Sequence, residues 1–246
     1  MLRSMNQLFG YALEARDGRI GKVDDFYFDD YVWRVRYLVA TTGGWLNRKE
    51  VLVSPAAVDS PHPEDKIIPV KLTKDQVRDS PDVDSDKPVS RQMEESMSVY
   101  YGWPSYWSME PFAMAAAPEM ASSVPVEAVG MPGGDPHLRS VRDSAGYQVV
   151  ASDREEGLGE VTDFIIDDDD WTLRYVVVKL TAEGGIREVV LNPWWNRGID
   201  WARHTMYFDL PAAQILASPE FDPASPFDRK YESQLHDYYG RPGYWR

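Results

Sequence analysis

The sequence predicts a mainly β protein made of two tandem copies of one small domain, and three observations carry that prediction. The frame I/L-G-x-V-x-D-F-x-x-D-D-x-x-W-x-x-R-Y-x-V occurs at residues 20–39 and again at 158–177. In each copy two runs rich in β-branched and aromatic residues flank an acidic turn, which is the pattern of a β-hairpin. A constant offset of 138 then aligns residues 16–107 with 154–245 without a gap, giving 28 identities in 92 pairs. A period of that length is the size of a domain and far exceeds the unit of a solenoid.

Taken in order, residues 8–13 read as a short first strand, and Asp17-Gly18 supplies a tight turn suited to positive φ. The hairpin follows, with Val23, Phe26, Phe28, Trp33, Val35, Leu38 and Val39 as the apolar content of a half-buried sheet. With a four-residue loop at 29–32, Phe28 faces Trp33, Phe26 faces Val35 and Asp25 faces Arg36; the second copy gives Ile166 with Trp171, Phe164 with Leu173 and Asp163 with Arg174. Asp25 with Arg36 and Asp163 with Arg174 are therefore expected as cross-strand ion pairs that set register, contributing about 0.2–1 kcal/mol each. Residues 49–53 and 187–191 read as the next strand, stopped by Ser54-Pro55 and Asn192-Pro193. Residues 66–70 form a further strand whose Pro69 cannot donate to a ladder, so it belongs on an edge or at a bulge. Thr73-x-x-Gln76 is a capping box opening a short helix, with a counterpart at residues 211–217.

Each copy ends in a tail with the pattern Y-Y-G-x-P-x-Y-W, at 100–107 and 238–245. Ser90 and Asp228 are candidate N-caps and Gly102 and Gly240 candidate C-caps of a preceding helix. Met93, Met97 and Tyr100 or Tyr101 lie at helical spacing, as do Tyr231, Leu235 and Tyr238 or Tyr239. Tyr100, Tyr101, Trp103, Tyr106, Trp107, Tyr238, Tyr239, Tyr244 and Trp245 are the candidate interaction residues. The expectation is that they pack on a barrel, with Trp107 and Trp245 at least half buried, because rings of this size are seldom left repeatedly in water. The domain plan is a first barrel at 1–85, a helix and tail at 86–107, a linker rich in Pro, Ala, Gly and Met at 108–137, a second barrel at 138–222 and a second helix and tail at 223–246. Trp194, Trp195 and Trp201 add aromatics with no counterpart in the first copy.

The word barrel rests on a resemblance. An early glycine-containing strand, the D-G turn, I-G-x-V-x-D, the acidic turn, W-x-x-R-Y-x-V, V-x-V-x-P and a short terminal helix resemble the PRC-barrel, the small all-β barrel of the photosynthetic reaction centre H subunit and of the ribosome-maturation factor family. The resemblance covers about residues 5–82 and 139–220, and the second copy departs from it with Glu155-Glu156-Gly157 in place of the D-G turn. It implies modules that cap, dock or organise other macromolecules.

Composition bounds the function. A formal net charge of -14 disfavours wrapping a nucleic-acid backbone and repels anionic lipid. Cysteine is absent, which excludes disulfides, thiolate catalysis and sulfur-ligated metals. Asp167-Asp168-Asp169-Asp170 lacks the central Gly and distal Glu of a calcium loop and reads as a solvated acidic turn; the four histidines show no ligand spacing. No G-x-S-x-G, P-loop, H-E-x-x-H or dinucleotide fingerprint occurs, so no catalytic residue, cofactor or metal is expected. Residues 1–9 lack the apolar core of a signal peptide and no run is long enough to span a membrane, so a cytoplasmic location without membrane insertion is expected. The function expected is a non-enzymatic scaffold that self-associates or docks on a protein partner. The alternatives are an extrinsic factor of a membrane complex of the reaction-centre kind and an acid–base or metal-dependent enzyme.

Overall fold

The computed structural model describes residues 1–43, 49–81, 91–103, 138–182, 185–225 and 227–245. Ser90, Tyr106, Trp107 and the linker segment 108–137 lie outside the described residues. The first repeat runs β1 (Leu2–Ser4), α1 (Met5–Leu8), β2 (Ala12–Ala15), β3 (Gly18–Asp29), β4 (Arg34–Thr42), β5 (Lys49–Val53), β6 (Ile67–Pro69), α2 (Lys74–Arg78) and α3 (Arg91–Tyr101). The second runs β7 (Leu138–Ser140), α4 (Val141–Ser144), β8 (Gln148–Val150), β9 (Gly157–Asp167), β10 (Thr172–Ala182), β11 (Gly185–Leu191), β12 (Asn196–Asp200), β13 (Thr205–Phe208), α5 (Ala212–Leu216) and α6 (Arg229–Tyr239).

These elements gather into two compact units, and neither is a contiguous stretch of chain. One unit comprises Gln7–Arg142 with Asp168–Thr172; the other comprises Met1–Asn6, Asp143–Asp167 and Leu173–Arg246. The contiguous boundaries expected from the sequence are crossed at the start of each repeat. In the first unit β3 carries β2 and β4, β4 carries β5, β6 lies parallel to β2, and β7 of the second repeat adds antiparallel to β3. In the second unit β8 lies between β9 and β13, β12 pairs with β13, β11 pairs with β10, and β1 of the first repeat adds to β9.

The hairpin forms as its side chains dictate, but in another register. Phe26 lies opposite Leu38, Asp25 opposite Val39 and Phe28 opposite Val35, with irregularities after Val23 and after Tyr27. The cause is local: Trp33 adopts the left-handed conformation at φ 53°, and Trp171 repeats it at φ 58°. That conformation costs a non-glycine residue roughly 1–2 kcal/mol. Burial of the indole offsets it, since Trp33 stacks on Phe28 with centroids 5.4 Å apart and is 2% exposed. Asp25 thus does not face Arg36 across the ladder. Arg36 Nη2 instead donates to Asp29 Oδ2 at 3.0 Å, both buried, and Arg174 Nη2 donates to Asp167 Oδ2 at 3.5 Å. The acidic turn is solvated only in part: Asp29 and Asp168 are each 4% exposed, whereas Asp169 and Asp170 are exposed.

The capping box holds as its spacing predicts: Gln76 N donates to Thr73 Oγ1 at 3.3 Å, and Thr73 N donates to Gln76 Oε1 at 2.9 Å. Asp17 and Asp153 do equivalent work from the preceding turn, accepting from Lys74 N at 2.8 Å and Ala212 N at 2.7 Å at the starts of α2 and α5. One strand differs between the repeats. Residues 196–200 form β12, whereas the matching stretch of the first repeat makes only the bridges Val58 to Val70 and His62 to Ile67. Pro61 and Pro63 flank His62 there and have no N–H to give a ladder.

Candidate functional site

The tail helices hold the candidate interaction residues, and each helix is fastened within its own unit. In α6, Asp228 caps the N-terminus by accepting from Tyr231 N at 2.9 Å, and Gly240 closes the C-terminus in the left-handed conformation at φ 64°. Helical spacing then turns Leu235 and Tyr239 inward, at 0% and 6% exposure, and leaves Tyr238 outward at 37%. In α3 the inward set is Met93, Met97 and Tyr101, packed on Tyr27, Tyr37, Val39, Leu52 and Leu138. Tyr100 faces out at 41% exposure, and Val99 beside it is 83% exposed. The outward tyrosines reach a shared anchor: Tyr100 Oη donates to the Gln76 carbonyl at 3.0 Å and Tyr238 Oη to the Gln214 carbonyl at 2.8 Å.

Beneath each helix a strand tyrosine meets a helix glutamate. Tyr37 Oη donates to Glu94 Oε1 at 3.2 Å, and Tyr175 Oη donates to Glu232 Oε1 at 2.9 Å. Both glutamates are essentially unexposed. The gap-free repeat contains this signal, since Tyr37, Arg91 and Glu94 recur as Tyr175, Arg229 and Glu232; no local motif carries it, because the partners lie 57 residues apart.

The second unit elaborates the latch with His236, where the first repeat has Ser98. His236 Nε2 lies 3.0 Å from Tyr175 Oη, and its Nδ1 lies 3.2 Å from the Arg241 carbonyl. A carbonyl only accepts, so Nδ1 carries a hydrogen. In a neutral imidazole Nε2 must then accept, yet the single hydroxyl hydrogen of Tyr175 cannot serve both Nε2 and Glu232. Every contact in the cluster is satisfied at once only when it holds one proton more than a carboxylate with a neutral imidazole. Burial pushes the Glu232 carboxyl above its ordinary value, against the lowering effect of hydrogen bonds from Tyr175 and Tyr244 and of the Arg229 and Arg174 charges. Burial likewise raises the Tyr175 hydroxyl, and Tyr244 is pushed up to about 12.

A carboxyl whose folded value is raised contributes stability that is present below its unfolded value and lost as pH rises through the folded one. The melting temperature of the wild type relative to Glu232→Gln is accordingly expected to fall as pH is raised from about 4, the ordinary glutamate value, across the neutral range, the amide keeping the acceptor without the titration. Thermal melts of the two proteins across that range check this, and a constant difference would reject it.

Aromatic rings close the cluster. Trp195 lies 5.2 Å from His236 and 4.7 Å from Tyr239 between centroids, which locates the tryptophan that the sequence left without a direction. Its match in the first repeat is Ala57, so the larger pair Trp195 and His236 replaces Ala57 and Ser98. Trp245 sits 5.0 Å from His236 and is partly buried, while Arg174 and Arg229 approach the Tyr244 ring to 4.0 and 5.2 Å. In the first tail Tyr101 and Trp103 stack at 4.1 Å.

A family model described as the PRC-barrel domain matches residues 5–77 and 137–212. The chain belongs to the PRC-barrel family. The two matched segments make it a tandem PRC-barrel protein, and the helices α3 and α6 follow the matched segments. Comparison with curated proteins found no match. Among the described residues no helix is long and apolar enough to cross a membrane.

Proposed function

We propose that this tandem PRC-barrel protein is a non-enzymatic interaction scaffold whose contact surface is the outward face of its tail helices. The observation that carries this is the division of labour on α3 and α6. One glutamate of each helix is engaged inward on a strand tyrosine, while Val99, Tyr100 and Tyr238 present apolar and aromatic surface to solvent among exposed polar residues such as Glu95, Lys230, Gln234 and Asp237. Tyrosine suits such a role because its ring buries against a partner while its hydroxyl stays bonded. Both tyrosines are already held by a backbone carbonyl, so little rotamer freedom remains to be lost on binding.

A photoreactive phenylalanine analogue placed singly at Val99, Tyr238 and the exposed Glu155 tests this in cells expressing the full chain. Discrete protein adducts, identified by mass spectrometry, are expected at the first two positions and not at the third. Equal labelling at all three positions would remove the basis for the assignment. Val99→Asp, which copies Asp237 of the second repeat, is expected to weaken capture by about tenfold, in line with burying one valine. It should leave the melting temperature near that of the wild type, since the side chain is 83% exposed.

A further inference from the structure

The two units are completed by segments that the repeats exchange. Leu2-Arg3-Ser4 and Leu138-Arg139-Ser140 are identical triplets. The first lies antiparallel on β9, Leu2 opposite Asp167 and Ser4 opposite Ile165; the second lies antiparallel on β3, Leu138 opposite Asp29 and Ser140 opposite Tyr27. One carboxylate then fastens each segment. Asp163 accepts from Ser4 Oγ and, at 3.0 Å, from Asn6 N. Asp25 accepts from Ser140 Oγ at 2.5 Å and from Arg142 N at 3.1 Å. Asn6 Nδ2 adds a bond to the Thr162 carbonyl at 2.9 Å, and Arg142 one to the Asp24 carbonyl.

Asp25 and Asp163 are the aspartates of the duplicated frame that were expected to pair with Arg36 and Arg174, so the residue has a recognition task instead. It reads an extended backbone, a hydroxyl, and a main-chain amide two residues further on. That is recognition by strand addition, with the ladder supplying affinity and one carboxylate supplying specificity. Nothing in this chemistry depends on the donor belonging to the same molecule.

We propose that the β9 edge with Asp163 is a strand-acceptor site that takes the Leu2-Arg3-Ser4 segment of a second copy of this chain. The contact is short, three residues of ladder, a few side-chain bonds and the buried Met5 that follows, so it opens at less cost than unfolding the unit that receives it. Exchange of an identical element is a low-cost route to association, and the protein already performs it between its own repeats. The tethered donor competes at an effective concentration of roughly millimolar, so occupancy in trans rises as protein concentration approaches that value. This site is separate from the helix face containing Val99, and either can fail without the other.

The chain has no cysteine, which permits a clean test. Full-length Leu2→Cys is mixed with full-length Asp167→Cys, the two positions being ladder partners, under mild oxidation. A disulfide-linked heterodimer is expected, its yield rising with concentration toward the millimolar effective concentration of the competing tethered segment. The doubly substituted chain should close on itself. Should either substitution unfold the protein, Arg3→Cys with Ile166→Cys offers the adjacent pair. A yield no higher than with exposed Ile186→Cys as the acceptor, or failure of the double variant to close, would overturn the proposal.

Discussion

Gly159→Ala is expected to destabilise its unit by about 3 kcal/mol or more, the upper end of the cost of overpacking. A Cβ at Gly159 would stand 2.2 Å from the Lys179 carbonyl oxygen and 3.1 Å from Leu180 Cα. These are backbone atoms of the neighbouring strand, so no rotamer change relieves the clash. The strand must move by about 1 Å to restore contact distance, and Leu180, Val161 and Leu158 in the same core move with it. Gly21→Ala meets the same obstacle, 1.9 Å from the Thr41 carbonyl oxygen. The invariant glycine of the duplicated frame thus marks a close approach of two backbones and not a turn. For a unit of this size about 3 kcal/mol lowers the melting temperature by roughly 12 °C or more. Calorimetry of Gly159→Ala beside Gly240→Ala checks the ranking. The latter changes a helix cap in open space at φ 64° and should cost only about 1–2 kcal/mol. Equal losses would show that the strand approach is not the constraint.

Local pattern made the hairpins, the capping box and the two tail helices legible, because each is specified by residues within a few positions of one another. The choice between Tyr100 and Tyr101 was settled by packing: Tyr101 continues the spacing Met93, Met97, and the docked helix turns Tyr100 outward. The ion pairs were misread for a definable reason. A four-residue loop ending at Val32 assumes that Trp33 re-enters the strand, whereas it takes the left-handed conformation and shifts the pairing. Two consequences followed, Arg36 meeting Asp29 and Asp25 being released to bind Ser140. The exchanged triplets lie outside the gap-free repeat because they are related by an offset of 136, not 138, the two extra residues lying in the turn before β9. Nor does a three-residue strand state which sheet it will join. That choice is made by Asp25 and Asp163, whose partners lie 115 and 159 residues away.

Truncation after Asp228 is expected to have a larger effect still. It removes α6 and the aromatic end, and with them Leu235, Tyr239 and the partly buried Tyr231. Three such side chains contribute roughly 4.5–9 kcal/mol of burial at about 1.5–3 kcal/mol each. The loss also strips the cover from Trp195 and Phe221, which meet Tyr239 and Tyr231, and leaves Tyr175 without Glu232 and His236. Since a domain of this size is stable by only about 5–15 kcal/mol in total, the shortened unit should be largely unfolded at physiological temperature. Leu235→Ala grades the same contact without removing the latch and should cost about 2–5 kcal/mol. Thermal unfolding and solution mass, measured together on the full chain, Leu235→Ala and the truncation, separate the tail's two possible roles. Stepwise loss of melting temperature at constant mass makes the helix an integral wall of its unit. If the truncated protein instead kept both the melting temperature and the mass of the full chain, the helix would contribute nothing to folding. The buried Tyr175, Glu232 and His236 contacts would then have no energetic consequence, which their burial and mutual hydrogen bonds make the outcome least compatible with this structure.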